Sequence, residues 1–285
     1  MPGSFRAALI AMLLAAPCVA AAGSVNVLYA GSLVNVMERS VGPAFERATG
    51  ERFRGYAGGS KLLANQIKAK LRHADVFVSA NPKVNAQLMG TANGNRVGWY
   101  VSFAESPLVI GCAPRSRFSR DFASRPWYQV LEEPGIRIGR TDPKLDPTGA
   151  LTLQLMKSAA TFYRQPGLSQ RVLGADDNAA QVFPEEALVG RLQSGQLDCG
   201  FFYSTETSDA RLAAVSLPKE ITPKAVYTIA IVDDAPNPKG AAEFAAFLLG
   251  PSGRSILSEH GLSVQAPKLV GNPASVPRSV RSLLQ

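Results

Sequence analysis

Residues 25–50 read VNVLYAGSLVNVMERSVGPAFERATG and contain two hydrophobic patterns. Residues 25–30 are rich in Val and Leu, as in a buried strand, and the loop Ala30-Gly31-Ser32 interrupts them. Apolar residues then recur at helical intervals until Gly50, and Gly42-Pro43 is expected to break or restart this helix. The stretch therefore predicts a strand, a tight loop that carries Ser32, and a helix.

The same order returns at once in the next part of the chain. Residues 52–57 predict a strand, GGS a loop, and KLLANQIKAKL a helix with Leu63, Ile67 and Leu71 on one face. Later strand and helix patterns alternate as far as residue 262, and the tail after Pro267 has little pattern. This alternation predicts an α/β protein with a mostly parallel sheet covered by helices.

Composition and the amino terminus indicate an exported globular protein. The chain has 285 residues, of which 46% are hydrophobic and 18% charged, so it can bury a core of one or two domains. Residues 1–22 combine Arg6, an apolar run and three closing alanines, which is typical of a secretory signal peptide. Lipid attachment at Cys18 is the alternative, and Pro17 just before it argues against that reading.

Charge and cysteines limit the classes of partner. The formal net charge is +8, which favours anionic partners, but the basic residues are spread out and do not predict nucleic-acid binding. Cys112 and Cys199 lie in apolar stretches. In an oxidising compartment they could pair, or they could be two separate buried thiols, and the sequence leaves both open.

Two loops place a serine between a strand and a helix, Ser32 in AGSL and Ser60 in AGGSKL. Unpaired N–H groups at a helix N-terminus, together with a hydroxyl, can hold an oxyanion. Because ligands of open α/β sheets bind beyond the carboxyl ends of strands, two such loops favour a shared site. The alternative is that each serine only caps its helix, and the same choice applies to Asp146 and Thr148 in DPTG.

Signatures of enzymes are weak. His73 and His260 are the only histidines and fit no metal-binding pattern, no G-x-S-x-G occurs, and GGSK lacks the order of a phosphate-binding P-loop. An exported enzyme remains an alternative with little support.

Seven stretches follow one another along the chain: VNVLYAGSL, YAGGSKLLANQI, ADVFVSAN, WYVSFAESPLVIGC, WYQVLEEPGIRIGRTDPKLDPTG, LQSGQLDCGFFYSTE and NPKGAAEFAAFLLGPSGRSILSEHGL. This ordered set resembles the substrate-binding proteins of molybdate/tungstate ABC importers over nearly the whole chain after residue 22. WYVSFA and DPTG resemble the branch that surrounds the metal with two carboxylates.

The resemblance implies an α/β, type II two-lobed periplasmic binding protein fold, with two mixed sheets flanked by helices and a ligand cleft between the lobes. Lobe I is expected at residues 23–107 and 226–285, and lobe II at residues 108–225. Two crossing strands would join them, and closure around the ligand would be a hinge motion.

The resemblance also implies a set of site residues. Ser32 and Ser60 match hydroxyl ligands, Asp146 matches a carboxylate ligand, and Tyr203 matches a tyrosine near the anion. The amides of Thr148 and Gly149 match those of a binding loop. The second carboxylate is expected at Glu185, with Glu186 as the alternative, or both are first-turn acids that complement the helix dipole.

Acids in an anion site suit a metal oxyanion. Mo(VI) and W(VI) are hard centres that can add carboxylate oxygens, so Asp146 and Glu185 would be their ligands. Toward sulfate or phosphate the same acids would mostly contribute repulsion. The expected function is periplasmic capture of molybdate or tungstate by a monomer without a cofactor, for a permease and ATPase at the inner membrane. Binding of sulfate or another oxyanion is the alternative.

Overall fold

Residues 23–284 are described by the structure, which is a computed structural model, and the predicted signal peptide lies outside them. The strands are β1 (Ser24–Ala30), β2 (Arg52–Gly58), β3 (Val76–Ser79), β4 (Trp99–Cys112), β5 (Ile138–Gly139), β6 (Cys199–Tyr203), β7 (Ala213–Val215), β8 (Lys224–Ile231) and β9 (Ser263–Gly271). The helices are α1 (Val34–Val36), α2 (Gly42–Thr49), α3 (Ser60–Lys68), α4 (Pro82–Ala86), α5 (Trp127–Leu131), α6 (Pro147–Phe162), α7 (Leu168–Leu173), α8 (Glu185–Gln193), α9 (Ser204–Asp209), α10 (Pro238–Leu249), α11 (Pro251–Glu259) and α12 (Arg278–Arg281).

The strands form two sheets that share β4. The first sheet has the order β2-β1-β3-β8-β4, with β9 also paired to β4, and the second joins β4 to β6 and β7 and β6 to β5. Among the strands of residues 23–284, only β1–β2, β1–β3 and β5–β6 are parallel pairs. The prediction of a mostly parallel sheet is therefore wrong and the sheets are mixed, because β8 and β9 return from the end of the chain antiparallel to β3 and β4.

The chain crosses between the sheets at two adjacent points. Pro107 of β4 still pairs with Lys224 of the first sheet, whereas Leu108 pairs with Tyr203 of the second. The Leu108 N–H donates to the carbonyl of Pro223, 2.9 Å away. The outgoing and returning segments are thus hydrogen bonded to each other where they pass between the sheets.

The helix after β1 is continuous and irregular. It begins as a 3-10 turn at Gly31–Leu33, passes through α1 and a π-helical turn at Met37–Val41, and continues as α2. The helix changes at the expected place, Gly42-Pro43, where the π-helical turn ends and α2 begins, but it does not break. Pro43 has no N–H to donate, and in the π-helical turn before it the Gly42 N–H bonds the Met37 carbonyl. The helix ends at Gly50, which is left-handed with φ 76°.

One other local prediction is wrong. The helix α3 ends at Lys68, and Leu71, expected on its buried face, is 78% exposed. Lys70 has φ 55°, which turns the chain out of the helix before Leu71 is reached. The tail after Pro267, which has little sequence pattern, contains the end of β9 and the helix α12, whose Val280 is buried.

The core includes side chains from both sheets, and one covalent link reinforces it. Val27, Val101 and Phe201 belong to the same buried cluster. Cys112 and Cys199 face each other in the β4–β6 pair and form a disulfide, which resolves the choice that the sequence left open. Within residues 23–284, no helix is long and apolar enough to cross a membrane.

Candidate functional site

The six residues proposed from the sequence are all buried and lie together at strand ends. Ser32 follows β1, Ser60 follows β2, and Tyr203 ends β6. Asp146, Thr148 and Glu185 belong to the first turns of α6 and α8 or precede them directly. The buried side chains are those of Ser32, Ser60, Asp146, Thr148, Glu185 and Tyr203. The site therefore combines segments that follow strands of both sheets.

Neither serine caps its helix with its side chain. The Ser32 hydroxyl accepts a hydrogen bond from the Tyr227 hydroxyl, 3.1 Å away, and the Ser60 hydroxyl accepts one from the Ala80 N–H at 3.2 Å. Each serine is held by a residue distant in sequence. The capping alternative is therefore wrong for both, and their own hydroxyl protons can be donated elsewhere.

Asp146 does cap a helix and also faces the site. Its Oδ1 accepts hydrogen bonds from the Thr148 N–H at 2.7 Å and the Thr141 hydroxyl at 3.0 Å. Pro147 follows at the first helical position of α6, where proline is favoured. The Thr148 amide, expected to face an anion, instead holds the carboxyl of Asp146.

Glu185 begins α8, and the structure separates it clearly from its neighbour. Its Oε1 accepts a hydrogen bond from the Thr148 hydroxyl, 2.8 Å away, and its carboxyl also interacts with the Ser32 N–H. Glu186 is exposed. Thr148 therefore donates to both buried acids and fixes one relative to the other.

The acids of the site and Tyr203 all have raised pKa values. Burial raises the pKa of Asp146, although hydrogen bonds from Thr148 and Thr141 oppose this. The pKa of Glu185 lies well above its ordinary value because of burial first, and then because of the nearby charges of Asp146 and Glu206. The pKa of Tyr203 is also raised, first by burial and then by the charges of Asp146 and Glu185. The charged forms of Asp146 and Glu185 are therefore unfavourable together, and a bound electropositive centre would compensate them.

Three buried oxygens of the site, Asp146 Oδ2, Glu185 Oε2 and Tyr203 Oη, make no hydrogen bond of good geometry within residues 23–284. Their polar neighbours are the other groups of the site, since Asp146 interacts with Glu185, and Tyr203 with Thr148. An unpaired buried polar group costs about 1–3 kcal/mol, so native structures rarely leave three together. Two are carboxyl oxygens, which are hard ligands, and the third is a hydroxyl donor. The set can both coordinate an electropositive centre and hydrogen bond its oxygens.

A cavity of about 270 Å³ opens beside the two acids. Its lining includes Gly59 and Leu62 on one side, and Asp146 and Glu185 on the other. A larger cavity of about 640 Å³ surrounds Asp198, at the opposite end of β6 from Tyr203. The smaller one borders the candidate site, because its lining contains Asp146 and Glu185, whereas Asp198 beside the larger one is paired with Arg137.

Two glycines are required by close packing in the cleft. A Cβ on Gly31 would lie 2.9 Å from Glu185 Oε2, and a Cβ on Gly59 would lie 2.8 Å from the carbonyl oxygen of Leu145. Both distances are too short for a carbon atom. The glycines of AGSL and AGGS thus let the acidic segments approach the serines.

Sequence reasoning missed several residues near the site, and three of them hold other parts of it in place. Tyr227 holds Ser32, Thr141 holds Asp146, and Lys61 donates from its Nζ to the Pro143 carbonyl at 2.7 Å. Tyr227 lies in a strand pattern and gave no separate signal. Lys61 follows Ser60 directly, and that adjacency was the only available hint.

Comparison with known proteins supports the fold and places the chain in a family. A relative from Petrotoga mobilis, described as an uncharacterized solute-binding protein, is 29% identical and aligned over 92% of this chain and 90% of its own. The molybdate/tungstate-binding protein WtpA of Thermococcus kodakarensis is 26% identical over 82% of this chain and 78% of its own.

The solved structure of the periplasmic molybdate-binding protein of Azotobacter vinelandii has the same fold. It matches with a TM-score of 0.67 at 19% identity, and covers 85% of this chain and 99% of its own. The predicted α/β two-lobed binding-protein fold is confirmed. The family model of bacterial extracellular solute-binding proteins matches residues 25–263. The chain belongs to the bacterial extracellular solute-binding protein family.

Proposed function

We propose that this protein captures molybdate or tungstate outside the cytoplasm and delivers it to an ABC importer. The observation that carries the proposal is the buried pair Asp146 and Glu185, each with one carboxyl oxygen that makes no hydrogen bond of good geometry within the described chain. Relatives named for molybdate and tungstate support the same ligand.

The chemistry of the pair favours a metal oxyanion. A buried acid repels a bound anion unless the anion's central atom can accept the acid's oxygen, and in a low dielectric this repulsion is strong. Mo(VI) and W(VI) can add hard oxygen ligands, whereas the sulfur of sulfate does not. Asp146 and Glu185 would therefore bind the metal, while the hydroxyls of Ser32, Ser60 and Tyr203 would donate to its oxygens.

The proposed architecture has the cleft between two lobes, residues 23–107 with 226–285 and residues 108–225. The change of strand partners between Pro107 and Leu108 supports this division. In this proposal the protein is a periplasmic monomer without a cofactor, exported by the signal peptide of residues 1–22, and its partners are an inner-membrane permease and its ATPase.

Calorimetric titration of residues 23–285 with tungstate, molybdate and sulfate tests the ligand. We expect tight binding of the first two and weak or no binding of sulfate. Equal binding of all three, or binding of none, would contradict the proposal.

Variants test the two acids. Asp146→Ala and Glu185→Ala should each weaken tungstate binding by about 100-fold or more, since even outer partners of a metal contribute 10- to 100-fold. Glu186→Ala is the matched control on the same helix and should bind as the parent does. A larger loss at Glu186 than at Glu185 would reverse the assignment.

A further inference from the structure

We infer that Lys61 fastens the two sides of the cleft together and sets how long a bound oxyanion stays. This inference rests on the proposed function for its ligand, but the fastening itself can be measured without one. Lys61 is not among the residues proposed to touch the oxyanion.

The geometry consists of two adjacent hydrogen bonds that cross the cleft. Lys61 belongs to α3, which follows β2 of the first sheet, and Pro143 lies in the loop after β5 of the second. Lys61 Nζ donates to the Pro143 carbonyl at 2.7 Å, and the Leu62 N–H donates to the Leu145 carbonyl at 3.0 Å. We call this pair of bonds the clasp.

The clasp uses donors that α3 cannot satisfy alone. Leu62 is the third residue of the helix, so its N–H has no acceptor within the helix and takes one from the opposite segment. Lys61 is half-buried, and its bond is charge-assisted, which makes it stronger than a bond between neutral groups. Closing the cleft therefore gives an acceptor to an N–H group in the first turn of α3.

The clasp lies directly beside the two residues that would face the ligand from opposite sides of the cleft. Ser60 immediately precedes Lys61, and Asp146 immediately follows Leu145. Moving the two sides apart separates Ser60 from Asp146 and must break both bonds of the clasp. An oxyanion held between these walls can leave only after that break, so Lys61 should act on the dissociation rate.

A positive charge near an anion site could act in another way, by attracting the ligand from solution. Such steering raises the association rate and weakens with salt, whereas a clasp slows dissociation and leaves association nearly unchanged. Rates therefore distinguish the two roles, although both would change the affinity.

The test compares Lys61→Met with Lys68→Met by stopped-flow measurement of tungstate binding and release. Lys68 is the matched control, because it lies on the same helix and bonds Asn93 Oδ1 at 2.8 Å without crossing the cleft. We expect Lys61→Met to raise the dissociation rate about tenfold, with association within about twofold of the parent. Lys68→Met should change neither rate.

Hydrogen exchange of the Leu62 amide gives a second readout that needs no ligand. In protein without added oxyanion, this amide should exchange faster in Lys61→Met than in the parent or in Lys68→Met. An unchanged Leu62 exchange with an unchanged dissociation rate would overturn the clasp, and so would a salt-dependent loss confined to association. A parent that binds no tungstate but shows the expected exchange difference contradicts the proposed function and leaves the clasp supported.

Discussion

Glu185 combines complete burial with several acidic neighbours. Its pKa is raised well above the ordinary range, by burial first and by Asp146 and Glu206 next. An acid with a higher pKa in the folded state than in the unfolded state binds its proton more tightly when folded. The free energy of unfolding therefore falls as pH rises from the unfolded pKa through the folded pKa, and the cost is fully present above it.

Replacing this carboxyl should stabilise the protein when no oxyanion is added. We expect Glu185→Gln to raise the melting temperature at neutral pH and to have a smaller effect at pH about 4, near the unfolded pKa of glutamate. Glu186→Gln, on the exposed side of α8, is the control and should shift neither melting curve. A Glu185→Gln variant less stable than the parent at neutral pH would show that the charged carboxyl stabilises the fold.

The sequence could predict the placement of those candidate residues whose local pattern carries a physical reason. Ser32 and Ser60 come between a strand and a helix, and Asp146 precedes Pro-Thr-Gly, so each signalled a helix N-terminus. The partner of Ser32, Tyr227, lies 195 residues away along the chain, and the partner of Ser60, Ala80, lies 20 residues away, after the next strand. No local spacing encodes such contacts, because they depend on how distant strands pack.

The first turn of α3 packs against the loop that carries Asp146 with little room to spare. Gly59, just before the helix, has φ −57°, which alanine can adopt, so only space opposes a larger residue. A Cβ there would meet the Leu145 carbonyl oxygen at 2.8 Å and Asp146 Oδ2 at 3.3 Å. Even the methyl group of alanine would thus push α3 away from the loop that carries Asp146.

We expect Gly59→Ala to weaken tungstate binding at least tenfold while the fold is retained, since moving the walls relieves the contact. Calorimetry and small-angle scattering with saturating tungstate measure the affinity and the compaction. Gly190→Ala is the control: it lies within α8, and a Cβ there would contact nothing within 4 Å. This control should bind normally and be slightly more stable, because alanine favours helices. Normal compaction of Gly59→Ala would contradict the steric argument.

Elements with a clear local period were predictable, and those shaped by packing were not. The strand of residues 25–30 and the helices near residues 238 and 251 are found where their patterns predict them. In contrast, β9 is exposed along much of its length and has no alternating pattern, and its position comes from pairing with β4. Leu71 matched the helical period of α3, but the helix ends at Lys68 and the chain turns away at Lys70.

At the scale of the whole molecule, the disulfide joins segments far apart in sequence. It links the end of β4 to the start of β6, whereas Tyr203 lies at the other end of β6. Reduction of the parent should lower the free energy of unfolding by about 2–4 kcal/mol in urea titrations, because the unfolded chain regains freedom. Tungstate affinity should be unchanged.

The double variant Cys112→Ala with Cys199→Ala provides the control for this prediction. Its stability should be low and insensitive to a reducing agent, while its calorimetric titration resembles that of the parent. A parent whose unfolding midpoint is the same with and without reductant would contradict the role given to the disulfide.

The sharing of β4 between the sheets also constrains the order in which the protein folds. The strands β1, β2 and β3 are close in sequence and can associate early, but β8, which pairs between β3 and β4, is separated from them in sequence by β5, β6 and β7 of the second sheet. Closing a loop of that length delays folding, since the entropy of closure is lost before the contacts form. Until β8 pairs, β3 keeps one unpaired edge, so completion of the first sheet should be the slow step of folding.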